Sequence, residues 1–235
     1  MDQIENKQQT GHKPPVEECI MQVLQQLGIE QAHFAGCSFD DIQGLATKHP
    51  CVISSLTLIC PFELRTELLQ TMASRALIVI GEGSLDAETL SKVPPTLTEA
   101  IFVHLPNFRG ETWDDAVDDR KYEIGHALID FINRTNQDQG VKSVSLEEDT
   151  GEIAGIAYAV QGAGPPLILL PLELAPSQWQ PLIPELSEHY CTITLTGPKL
   201  GIIPFLEERG QSAGYLRMLS ALMDAVQLMT LIKIS

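Results

Sequence analysis

The stretch LQQLGIEQAHFAGCSFDDIQGLATKHPCVISSLTLICP, residues 24–61, changes periodicity three times in thirty-eight positions. It opens inside a helical pattern, because Val16, Ile20, Val23, Leu24 and Leu27 recur on one helix face and the pattern stops at Gly28. AHFAG then reads as a short buried strand, and DDIQGLATKHP as a helix ended by Pro50. VISSLTLICP, rich in β-branched residues, reads as a second buried strand. Helix, strand, helix, strand is the unit of a parallel sheet covered by helices.

The same alternation continues outward. A helix is predicted over ELRTELLQTMA, a strand over ALIVIG, a short helix near DAETLSKV, a strand over AIFVHL and a long helix from Ala116 to Asn133. The polar run NRTNQDQGVKS then marks a boundary near residue 140. Beyond it, VSLEED, IAGIAYAVQG and PLILLP read as strands with turns at DTGE and GAGPP, followed by a short helix in SQWQPLIPELSE, a strand at YCTITLTG and a last helix in AGYLRMLSALMDAVQL. The expected organisation is a disordered tail over 1–15, one part over 16–140 and a second over 141–235. The fold class is α/β, with a mostly parallel sheet flanked by helices.

Charge narrows the partners. Thirty-one acidic residues against 15 basic ones give a formal charge of −16, which repels phosphate backbones and anionic lipid. Neither nucleic acid nor a membrane surface is an expected partner; an unidentified small molecule or protein is. The N-terminal MDQIENKQQTGHKPP has no apolar core of a signal peptide, and no apolar run reaches the length of a membrane span. Five cysteines, three of them in apolar runs, fit reduced thiols packed as small hydrophobes, and the expected compartment is the cytoplasm.

Residues 24–61 resemble the helix, nucleophile strand, elbow, following helix and next strand of the α/β-hydrolase family, whose elbow is G-x-S-x-G and here reads Gly36-Cys37-Ser38-Phe39-Asp40. ALIVIGEGS is similar to the strand that delivers the triad acid, IFVHLPNFRG to the strand and loop that deliver the histidine, and ALIDFI to the family's last helix. IAYAVQGAGPPLILLP resembles the second and third strands, LIPELSEHY the first helix and TITLTGPKLG the fourth strand, although they come later in the chain. The family-like halves are inverted, and no cap domain is evident. Two architectures follow. In a circularly permuted single domain, the strand near Leu167–Leu170 lies beside the strand near His33–Gly36, as the family's third and fifth strands do. In the other, the chain joins the end of one degraded hydrolase-like unit to the start of another. Permutation requires the connection to cross about seven strand spacings, roughly 34 Å. Ten extended residues reach only about 33 Å, unless the last helix carries the chain part of the way.

The chemistry that the resemblance implies is incomplete. Gly36 supplies one small neighbour of the elbow, and Asp40 stands where the other should be. Ser38-Phe39-Asp40-Asp41 is also S-x-x-D, the pattern of a capping box, so Ser38 is either a nucleophile or, as favoured here, a helix cap. The base expected after the last strand falls at Arg109 and Gly110, leaving His104 and His126 as the candidate bases. The acid position falls near Ser84, with Asp86 the nearest carboxylate. The oxyanion loop would be Pro171-Leu172-Glu173-Leu174, which offers a proline without an N–H and a carboxylate that opposes an oxyanion. QGAGPP lacks the spacing and lysine of a phosphate loop and reads as a hairpin turn. No metal-ligand spacing appears, ETWDDAVDD reads as a solvated helix start, and no cofactor is expected.

Three functions follow. The favoured one is a binding or scaffold module, a pseudoenzyme that keeps the α/β-hydrolase fold after losing the triad. The second is a serine ester hydrolase with Ser38 as nucleophile and His104 or His126 recruited as base. The third is the accessory N-terminal part of a larger methyltransferase-type protein, because PFLEERGQSAGYLRMLSALMDAVQL resembles the helices that lead into such domains; no glycine-rich cofactor motif follows it.

Overall fold

The computed structural model describes residues 14–61, 64–82, 97, 99–108, 115–147, 149–172 and 176–201. The N-terminal tail, the helix expected near DAETLSKV and the C-terminal helix fall outside them.

The opening stretch folds as its periodicities predict. Helix α1 (Val16–Gln26) buries Cys19, Ile20, Val23 and Leu24, and ends where Gly28 N–H and Ile29 N–H donate back to Gln25 and Leu24. Strand β1 (Ala32–Gly36), helix α2 (Asp40–Lys48) and strand β2 (Ile53–Ile59) follow, with both strands buried along their whole length. Next come α3 (Thr66–Gln70), β3 (Ala76–Gly81) and β4 (Ile101–Leu105). α3 is much shorter than the helix expected over ELRTELLQTMA.

The long helix differs more. It is split into α4 (Ala116–Asp119) and α5 (Lys121–Gln139). The break is at Arg120, whose guanidinium turns back to donate to the Pro106 carbonyl at 2.9 Å and lies over the Phe108 ring. α5 also runs through NRTNQDQ, the supposed linker. The polar side chains there have partners: Thr135 Oγ1 donates to the Phe131 carbonyl of its own helix, and the single Tyr190 Oη proton is shared between Asn133 Oδ1 and Ile129 O.

The second part supplies β5 (Val144–Ser145), β6 (Thr150–Ile153), β7 (Ile156–Gln161), β8 (Ala163–Gly164), β9 (Pro166–Leu169), helix α6 (Ile183–Leu186) and β10 (Cys191–Thr196). The β6–β7 turn is at Ala154-Gly155, not at DTGE. Both of its residues have positive φ, as the tightest hairpins require.

One eight-stranded sheet has the order β4-β3-β2-β1-β9-β10-β7-β6. Each part of the chain contributes four strands. β9 pairs in parallel with β1, Phe34 opposite Ile168, so the ladder expected from the inverted order is present. β10 is parallel to β9; only β7 runs against its neighbours, antiparallel to both β10 and β6. The architecture is α/β, a mostly parallel sheet flanked by helices. α1 and α2 pack on one face with Phe34, Leu56, Ile78 and Ile168. α4, α5 and α6 pack on the other with Ala35, Leu77, Val79, Leu167 and Trp179. α5 (19 residues) carries the connection only part of the way: it starts beside Pro106 at the end of β4 and ends near the start of β1, where Asn136 meets His33 and Lys142 pairs with Glu30, and the segment that follows leads on to β6.

β7 and β9 are not neighbours, because β10 lies between them. QGAGPP is therefore not a hairpin turn but a crossover past the entry to β10, and its Ala163-Gly164 pairs with β5.

Among the described residues no helix is long and apolar enough to cross a membrane. None of the five cysteines, all among the described residues, is in a disulfide: Cys19, Cys37, Cys60 and Cys191 are buried and Cys51 is exposed.

Candidate functional site

In open parallel sheets, ligands bind beyond the carboxyl ends of the strands where successive connections depart in opposite directions. Here that point lies between β1, which leads to β2, and β9, which leads to β10 on the other side. Cys37 and Ser38 leave β1 there, and Leu170 and Pro171 leave β9. The two exits are tied together: Leu170 N–H donates to Ala35 O at 2.8 Å, Cys37 Sγ donates to Pro171 O at 3.7 Å and the buried Trp179 Nε1–H donates to Leu170 O at 2.7 Å.

Ser38 sits between β1 and α2. Its Oγ accepts the Asp40 N–H at 3.1 Å, and Phe39 already has helical dihedrals, so the hydroxyl serves one of the free donors of the helix start. Among the described non-glycine residues, positive φ occurs at Cys60, Asn107 and Ala154 and not at Ser38. The left-handed strain of a nucleophile elbow is absent. Ser38→Ala is expected to lower stability by about 0.5–2 kcal/mol, the usual loss on removing a cap, and urea denaturation measures it; an unchanged or higher stability would deny the hydroxyl that role.

The aspartates that follow do different work. Asp40 pairs with Arg65, which also donates to Gln43. Asp41 does not close a capping box. Its side chain is buried, and both carboxylate oxygens accept the Gly201 N–H, at 2.9 and 3.1 Å. Burial pushes its titration up to about 7; the Gly201 N–H opposes the rise and the Asp40 charge adds to it. These groups line a polar cleft of about 510 Å³, shared with Glu17, Lys48, Lys199 and Gly201. Lys48 Nζ lies 2.5 Å from Glu17 Oε1, and this contact holds the Glu17 carboxyl below the usual range.

The candidate triad residues are scattered. His104 is exposed on β4, and the ladders Gly36–Leu58, Ile59–Val79 and Ile80–His104 place it level with Ser38 but three strands away. That is roughly 14 Å at 4.8 Å per strand, beyond the reach of a general base. His126 is exposed on α5. Asp86, Ser84, Arg109, Gly110 and Glu173 lie outside the described residues, as does the segment similar to methyltransferase lead-in helices. No family model, curated protein or solved structure matches the chain.

Sequence reasoning missed one buried polar pair. His33 Nδ1 lies 2.7 Å from Ser55 Oγ, on cross-strand partners of β1 and β2 under α5. Burial pushes the His33 ring down to about 4, against the pull of the Asn136 amide, so it is neutral near pH 7. It cannot serve Ser38, five strand residues away, roughly 16 Å. Only the register of β1 on β2 brings the pair together, and no local signal announces it. Among the described residues no three potential metal ligands converge.

Proposed function

We propose that this chain is a circularly permuted α/β-hydrolase-like module that binds a ligand or partner without catalysing hydrolysis. The strand similar to the family's third lies beside the strand similar to its fifth, and α5 brings the chain along one face of the sheet from the end of β4 back to the start of β1, part of the way between the inverted halves. The observation that carries the non-catalytic reading is the bond from Asp40 N–H to Ser38 Oγ on unstrained backbone. A nucleophile requires a hydrogen-bonded base and an oriented acid. Ser38 instead spends its lone pair on the helix, with Asp40 and Asp41 held by ion pairing and burial beside it. The surface available for binding is the polar cleft between α1, α2 and the loop after β10.

Incubation with a fluorophosphonate probe tests this reading. The expected result is no labelling of Ser38 and no turnover of a nitrophenyl ester above that of Ser38→Ala. Stoichiometric labelling of Ser38 would restore the serine hydrolase.

A further inference from the structure

We propose that Cys19 and Lys199 form an oxidative cross-linking site, in which a hydroperoxide joins the thiol sulfur to the lysine amine. Cys19 lies in the first turns of α1 and is fully buried. Lys199 belongs to the loop after β10 and is half-buried, with its stem along the wall of the polar cleft beside Val16 and Glu17. Its Nζ donates to Cys19 Sγ at 3.4 Å and also to the Pro14 carbonyl, while Cys19 Sγ donates to the same carbonyl at 3.7 Å. One backbone oxygen thus anchors both groups, and the amine nitrogen is held against the sulfur before any reaction. That pre-set approach is what turns a slow bimolecular step into a fast intramolecular one.

The chemistry balances with one peroxide. The Cys19 thiol reduces hydrogen peroxide, giving a sulfenic acid and one water, so sulfur is oxidised by two electrons. A sulfenic acid condenses with a nearby nitrogen to a sulfenamide. Lys199, first losing its ammonium proton to solvent, attacks sulfur with its nitrogen lone pair; the S–N bond forms and the S–O bond breaks. The departing hydroxide takes an amine proton and leaves as a second water. The chain loses two hydrogens. The link spans 180 residues of sequence and fastens the loop that carries Gly201, the partner of Asp41, to the start of α1. Closing so long a loop restrains the unfolded chain, as a disulfide does. A thiol reductant reopens it by attacking sulfur, releasing the amine and oxidising the reductant to its disulfide.

The test uses the full chain carrying Cys51→Ser, which removes the exposed thiol, treated with hydrogen peroxide and mapped by peptide mass spectrometry. The expected product is a joined pair of peptides containing Cys19 and Lys199, two hydrogens lighter than their sum and separated by dithiothreitol. The melting temperature is expected to rise by roughly 5 °C or more, and both effects vanish in Lys199→Arg, which keeps the charge but not the nucleophilic amine. Cys19 remaining reduced, or advancing to sulfinic acid equally in both proteins, would overturn the proposal. Peptide mapping of the Cys51→Ser protein decides the matter even if Lys199→Arg fails to fold.

Discussion

Asp41→Asn is expected to stabilise the protein by about 1–3 kcal/mol at pH 8 and to lose that advantage at pH 5. The sign follows from burial. The carboxyl titrates near 7 in the fold and near 3.9 in the unfolded chain, so between these values the native state holds the proton that the unfolded state has released. Stability then falls as pH rises through this window. Below about pH 4 both states are protonated, and above about pH 7 the loss is complete, with an upper bound of about 4 kcal/mol. Asparagine keeps an oxygen acceptor for the Gly201 N–H and removes the ionisation. Its amide N–H groups must still be accommodated, and a buried unsatisfied polar group costs about 1–3 kcal/mol; this reduces the gain at pH 8 and makes the variant equal to or weaker than wild type at pH 5. Asp40, Glu17, Lys48 and Lys199 line the same cleft. Because all four are present in both proteins, the difference between the two urea-denaturation profiles reads the change at Asp41. Parallel profiles from pH 5 to pH 8 would show that the carboxyl stays ionised in the fold.

The same residue marks the limit of what can be read from a sequence. Alternating periodicities were enough for the α/β class and for β1 and β2, because these depend on local hydrophobic spacing, which the chain displays directly. The pairing of β9 with β1 was implied only by the family resemblance of the two segments. Asp41 looked like the end of a capping box because three-residue spacing is also local. Its actual partner is a backbone N–H 160 positions away, and nothing near either residue encodes that meeting. The His33–Ser55 pair was hidden for a related reason: it requires the register of two strands. α5 was cut short at Asn133 because NRTNQDQ is polar. Thr135 bonds within its own helix and Asn133 meets Tyr190 from the second part of the chain, so helical structure persists where composition suggested a loop. Ser38 was legible in part. Its cap-forming hydroxyl is a short-range feature, whereas the 14 Å or so that separates it from His104 depends on strand order.

Gly162→Ala is expected to destabilise the fold by about 3–5 kcal/mol, while Gly155→Ala costs about 1–2 kcal/mol. Both glycines have φ near +80°, 77° at Gly162 and 80° at Gly155, so an alanine is strained at either place. They differ in what a Cβ would meet. At Gly155, in the β6–β7 turn, nothing lies within 4 Å. At Gly162 the new carbon would sit 2.3 Å from the Ser187 carbonyl oxygen and 2.6 Å from that of Tyr190. These are backbone atoms at the entry to β10, which is held between β7 and β9 and cannot move aside without breaking a ladder. The crossover from β7 to β9 passes so close because β10 occupies the place between them. Against a total stability of about 5–15 kcal/mol, this loss is visible as a large drop in the urea midpoint with little change in slope. The comparison also separates two meanings of a glycine-rich segment. In a phosphate loop the missing side chain makes room for a ligand, and alanine weakens binding more than folding. Here the missing side chain makes room for the chain itself, so the deficit must appear with no ligand present. Equal midpoints for Gly162→Ala and Gly155→Ala would remove the close crossing, and with it the explanation of why glycine stands at the point where β7 turns away from its neighbour.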